Sequence, residues 1–188
     1  MKRRMMAALV TMMLGGVLGA EPVNQPAQEL EMKMEGGQVV KLSQLKGKPV
    51  MLVFFSTTCP HCQKSAEAVE KTMRAYSARG LQVIAVSTDE NQRKDFPEFR
   101  KKYGATYPIG TIGPQDSYRF FNLSVMRPFY VPTFAFIDRA GVMKERFIGG
   151  IVQEPNPAPG VEQAAIARQV DALLKAGPAA PAKAAKKK

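Results

Sequence analysis

Three spacings of apolar and polar positions follow one another along residues 29–175, and each implies a different backbone. From Glu29 to Leu42, "ELEMKMEGGQVVKL", apolar and polar residues alternate on both sides of Glu35-Gly36-Gly37. That is the period-2 signature of a hairpin closed by a Gly-bearing turn. Val50 to Phe55, "VMLVFF", is a continuous apolar run with β-branched and aromatic members. It is too short for an ordinary helix and has no polar alternation, so it reads as a strand buried on both faces. "LQVIAVST", residues 81–88, reads the same way.

Between these two runs the spacing turns helical. Ala66, Val69, Met73 and Tyr76 recur at threes and fours from Pro60 to about Ala78; Pro60 suits the first turn and Gly80 the stop. Residues 92–104, "QRKDFPEFRKKYG", predict a second helix with Pro97 in its first turn or at a kink, and residues 114–123 a short third one. "PTFAFID" and "VMKERFIG" predict two strands around the turn Asp138-Arg139-Ala140-Gly141, and "VEQAAIARQVDALLKAG" an amphipathic helix ending at Gly177. The order hairpin, β, α, β, α, (α), β, β, α predicts an α/β domain over residues 29–175. It has a central mixed sheet flanked by helices, an N-terminal β-hairpin extension, and a closing hairpin at the antiparallel edge.

The flanks differ in kind. Lys2, Arg3 and Arg4 precede an apolar run from Met5 to Leu18, with small residues Gly19 and Ala20 after it. That is the pattern of a cleaved secretory signal peptide over residues 1–20, cut after Ala20 or Gly19; a membrane anchor would need a run of about 20 residues. The expected address is periplasmic or otherwise exported. Residues 21–28, "EPVNQPAQ", read as a linker, and residues 176–188 as a disordered Ala/Pro/Lys tail. The net charge of +11 sits mostly in these flanks, since Lys2, Arg3 and Arg4 contribute +3 and the four C-terminal lysines +4, leaving +4 for residues 21–175. A nucleic-acid partner is therefore not expected. The lysine tail offers only weak association with an anionic cell envelope, and a solvated tail is the simpler reading.

The chemistry is concentrated in four residues. Cys59-Pro60-His61-Cys62 holds both cysteines and the single histidine of the chain. A buried strand ends just before Cys59, and the first long helix begins just after it. Unpaired N–H groups and the positive end of the helix dipole there favour a thiolate. Cys62 lies one turn on, on the same side, where it can close a disulfide with Cys59 or resolve a mixed disulfide. Pro60 fixes the turn, and His61 adds a dipole or a charge that favours the reduced form. Three other readings stay open. Structural zinc lacks a fourth ligand. A peroxidatic Cys59 would need a hydroxyl beside it, for which Ser56 is the candidate. An inert disulfide closing so short a loop constrains the chain little.

A resemblance enters with longer motifs. "LSQLKGKPVMLVFFSTTCPHC", "FPEFRKKYGATYPI", "VPTFAFIDRAGVM" and Gly149-Gly150 resemble the thioredoxin-like superfamily, and within it the exported TlpA/ResA-type thiol–disulfide oxidoreductases. The resemblance implies a thioredoxin-like fold, Cys59 as nucleophile and Cys62 as resolving thiol, with Pro60 and His61 tuning the potential. It implies a cis peptide before Pro132 and a substrate-binding segment Val131-Pro132-Thr133, whose backbone pairs with an extended client. The partners it implies are cysteine-containing client proteins and a membrane redox partner, with no cofactor and no metal. Departures stand beside it. Thr58 occupies the usual Trp position before the first cysteine, and Val53 the place of a buried Asp. Ser65-Ala66-Glu67 replaces the usual Glu-Met-Pro. The Pro-His dipeptide is similar to that of DsbA-type periplasmic oxidases, so the direction of electron flow is open. A thiol peroxidase and a copper-handling module using Cys59, His61 and Cys62 are the alternatives to a thiol–disulfide oxidoreductase.

Overall fold

A computed structural model describes residues 21–154 and 157–176; the expected signal segment 1–20 and residues 177–188 of the tail lie outside the described residues. In chain order the strands are β1 (Glu21–Pro26), β2 (Glu31–Met34), β3 (Val39–Lys41), β4 (Val50–Phe55), β5 (Gln82–Ser87), β6 (Ile109–Thr111), β7 (Thr133–Ile137) and β8 (Val142–Ile148). The α-helices are α1 (Pro60–Tyr76), α2 (Phe96–Tyr103), α3 (Asp116–Phe121) and α4 (Val161–Lys175). The strands form one mixed sheet in the order β1-β8-β7-β4-β5-β6-β2-β3. β5 runs parallel to β4 and β6, whereas β7 runs antiparallel to β4.

β4 is central because all six of its residues are buried, as an unbroken apolar run requires. Its side chains alternate between two cores. Met51, Val53 and Phe55 face Ala66 and Val69 of α1, Phe96 and Phe99 of α2, and Ile166 and Val170 of α4. Val50, Leu52 and Phe54 face Phe120 and Phe121 of α3 together with Leu30, Met32 and Leu42 from the hairpin region. α1 ends at Tyr76, passes through a 3-10 turn and stops at Gly80, whose φ of 92° suits glycine. β2 and β3 form the expected hairpin, paired antiparallel.

Two elements differ from the sequence reading. Residues 21–28 are not a linker throughout, because Glu21–Pro26 pairs antiparallel with β8, with a register shift between Pro22 and Gln25. Prolines are tolerated there because an outermost strand leaves one row of N–H groups unpaired. β8 is accordingly not the sheet edge, since β1 covers it. Ile109–Thr111 adds a strand too short to show a period. Its Gly110 lies under the hairpin, where a Cβ would come within 2.8 Å of the Lys33 carbonyl oxygen, so this short segment can take β2 alongside it.

Candidate active site

The C-terminal end of β4 delivers the chain to the sulfurs. Cys59 is the N-cap residue of α1, with extended backbone, and Pro60 follows in the first turn. Both thiols are free. Cys59 is half-buried, whereas Cys62 is 3% exposed. Cys59, Val131 and Ile151 pack against the core cluster that contains Cys62. The Cys59 thiol donates to the Val131 carbonyl at 3.5 Å, a contact across 72 residues, and the Val131–Pro132 peptide bond is cis. The Ser56 N–H donates to Cys62 Sγ, also at 3.5 Å. Burial pushes the Cys62 thiol far above its ordinary value and neighbouring Cys59 adds to this, while the Ser56 N–H works against it. One sulfur is thus approachable and the other is held as a neutral thiol behind it.

The remaining predicted site residues divide. Pro60 and His61 are exposed beside the approachable sulfur. Pro132 is buried, and Thr133 is fully so. The Thr133 hydroxyl donates to the Tyr130 carbonyl at 2.6 Å, which ties the start of β7 to the loop before it, away from any surface a client could touch. Val53, at the position of the usual buried Asp, is itself buried. Glu67 is exposed and pairs with Lys71 at 2.6 Å. Among the described residues, no group of three or more His, Cys, Asp or Glu side chains could hold a metal ion.

One site residue left no trace in the sequence. Gln92 sits in the 3-10 turn Glu90–Asp95 that follows β5. Its Oε1 accepts from the Thr57 N–H at 2.9 Å and from Ser87 Oγ at 3.1 Å, and its Nε2 donates to Ser56 Oγ at 2.8 Å. Gln63 adds a bond from its amide to the Thr57 carbonyl at 2.7 Å. The three residues between β4 and Cys59 are therefore fastened from two sides. Ser56 Oγ also lies 3.0 Å from Thr58 Oγ1, so the hydroxyl a peroxidatic reading needs beside Cys59 is engaged elsewhere.

Two vicinal sulfurs of unequal access can exchange disulfides, one attacking and the other resolving. On this sheet and helix arrangement, that chemistry marks a thioredoxin-like thiol–disulfide oxidoreductase. The chain belongs to the AhpC/TSA family, whose model matches residues 23–146. It is similar to the thiol-disulfide oxidoreductase ResA of Halalkalibacterium halodurans, at 29% identity over 139 residues covering 72% of this chain and 71% of that one. It is also similar to the thioredoxin-like protein YneN of Bacillus subtilis, at 28% identity over 132 residues, 69% of this chain and 74% of that one. Among solved structures, a thiol:disulfide interchange protein of the thioredoxin family from Chlorobium tepidum shares the fold. Its TM-score is 0.64 and its identity 22%, covering 82% of this chain and 97% of that one.

Proposed function

We propose that the protein is an exported enzyme that exchanges disulfides with cysteines of client proteins through Cys59 and Cys62. The Cys59 thiolate attacks one sulfur of a client disulfide, and the other client sulfur leaves as a thiolate and takes up a proton. The Cys62 thiol then loses its proton and attacks Cys59 Sγ. The client's second sulfur leaves, and a Cys59–Cys62 disulfide remains. The client is reduced by two electrons and the enzyme oxidised by two; run backwards, the same steps place a disulfide in the client. The observation that carries this reading is the asymmetry of the pair, a half-buried Cys59 in contact with the Val131 carbonyl above a buried Cys62.

Val131 and Pro132 present backbone to an extended client segment on this reading, while Thr133 only supports their loop. Pro60 and His61 set the potential. A membrane redox partner returns the pair to its working state. The basic, apolar N-terminus is the basis for an exported, periplasmic address, and the lysine tail is the basis for weak association with the envelope. The test is exchange by the parent protein with a disulfide-containing protein probe, together with its redox equilibrium against glutathione. Exchange with a measurable equilibrium constant is expected, and the constant assigns the direction. A well-folded parent that exchanges no disulfide overturns the reading.

A further inference from the structure

The Cys59/Cys62 site lacks an acid at the position of Val53, and Glu67 turns outward to Lys71. A different carboxylate reaches the same end of α1. Glu162, in the first turn of α4, places Oε1 at 2.6 Å from Ser65 Oγ. Ser65 is 5% exposed. It lies one turn beyond Cys62, and its Oγ is also 3.0 Å from the carbonyl oxygen of His61.

Ser65 has one hydroxyl proton, and both neighbours are acceptors while Glu162 is ionised, so only one bond can form. With Glu162 protonated, its O–H donates to Ser65 Oγ and the Ser65 O–H donates to the His61 carbonyl, and both short contacts are satisfied. The cluster therefore has two hydrogen-bonded states that differ by one proton. Burial raises the Glu162 carboxyl above its ordinary value, against the Ser65 hydrogen bond and the charge of His61, which lower it. Glu162 and His61 line one small cavity of ≈ 40 Å³ that also touches Pro132 and Gly149. Lys64 of α1 and Glu154 of the loop before α4 are the other charged groups on that cavity.

We propose that Glu162 is the counter-charge of His61, so that an acid on α4 sets how strongly the Pro60–His61 pair favours the Cys59 thiolate. The ionised carboxylate favours the imidazolium, and the imidazolium favours the thiolate beside it. The coupling is present only while Glu162 is ionised; once neutral, the carboxyl offers His61 no charge and bonds only to Ser65. This deepens the disulfide-exchange reading and rests on it, and makes Glu162 a positioning and tuning residue that need not touch a client.

His61 is the only histidine in the chain, so one imidazole resonance reports its protonation without interference. Glu162→Gln keeps an amide donor for Ser65 and removes the charge. In Glu162→Gln the protonated fraction of His61 at pH 7 falls, and Cys59 alkylation at pH 7 slows by about two- to fivefold, the effect of one nearby charge in a half-solvated site. The substitution has no further effect on alkylation in a His61→Gln background, but keeps its full effect in Lys64→Gln. In the unmutated protein, raising salt to about 1 M lowers the protonated fraction of His61, because screening then acts over a few ångströms. An unchanged imidazole titration in both Glu162→Gln and high salt overturns the proposal. Slowing of equal size with and without His61 also overturns it. A parent that exchanges no disulfide defeats the functional reading, while the imidazole titration still decides this coupling.

Discussion

Gln92→Ala tests how much of the hold on the loop before Cys59 comes from Gln92, with Gln63 left in place. Truncation leaves the Thr57 N–H, in a residue 7% exposed, without its acceptor, at a cost of about 1–3 kcal/mol. The lost bond to Ser56 Oγ adds about 1 kcal/mol, and release of a half-buried glutamine side chain returns up to about 2 kcal/mol of conformational entropy. The net expectation is a destabilisation of about 1–2 kcal/mol. With a slope of roughly 1–3 kcal/mol per molar urea, the unfolding midpoint of the reduced protein falls by about 1 M. Gln92→Glu retains an oxygen for the Thr57 N–H and Ser87 and loses less than half as much. The assay is urea unfolding followed by circular dichroism for the three proteins. A change below about 0.5 kcal/mol for Gln92→Ala, or equal losses for both substitutions, refutes the role assigned to Gln92.

Three further outcomes follow from the structure. Iodoacetamide at pH 8 modifies Cys59 in the folded dithiol and spares Cys62, and both react in urea; peptide mapping that finds folded Cys62 labelled as fast as Cys59 contradicts its burial. Because burial raises the Cys62 thiol above its unfolded value, its stabilising contribution is complete below that unfolded value. It is lost as pH rises above about 9, where the unfolded thiol ionises and the folded one does not; a Cys62→Ala comparison by urea unfolding between pH 7 and pH 10 reads this directly. Phe54, fully buried with Phe121 at 4.9 Å and Phe120 at 5.6 Å between ring centroids, is worth about 3–5 kcal/mol against Phe54→Ala, and a loss under 1 kcal/mol denies it a central place in its core.

What could be read in the sequence was what leaves a period or a motif. The buried run of β4, the threes and fours of α1 and α4, and the alternation of the β2–β3 hairpin each came from apolar spacing alone. Cys59 and Val131, far apart in the chain, were joined by the CPHC and VPT motifs, and the thiol-to-carbonyl contact places them together. β1 was obscured by Pro22 and Pro26, which read as breakers although an outer strand accepts them. β6 has three residues, too few for any period. Thr133 looked like part of a client surface because the motif includes it, yet its place on β7, between β4 and β8, buries it. Gln92 lies in a polar run and Glu162 at the start of an amphipathic helix, and tertiary hydrogen bonding by one side chain has no sequence periodicity to betray it.

The claim that Cys59 attacks and Cys62 resolves is tested most directly by trapping. Cys62→Ala, mixed with a disulfide-containing protein probe and examined by non-reducing electrophoresis and mass spectrometry, accumulates a mixed disulfide through Cys59, while Cys59→Ala accumulates none. A mixed disulfide formed through Cys62 in Cys59→Ala at the same rate, or no adduct with either variant, contradicts the account.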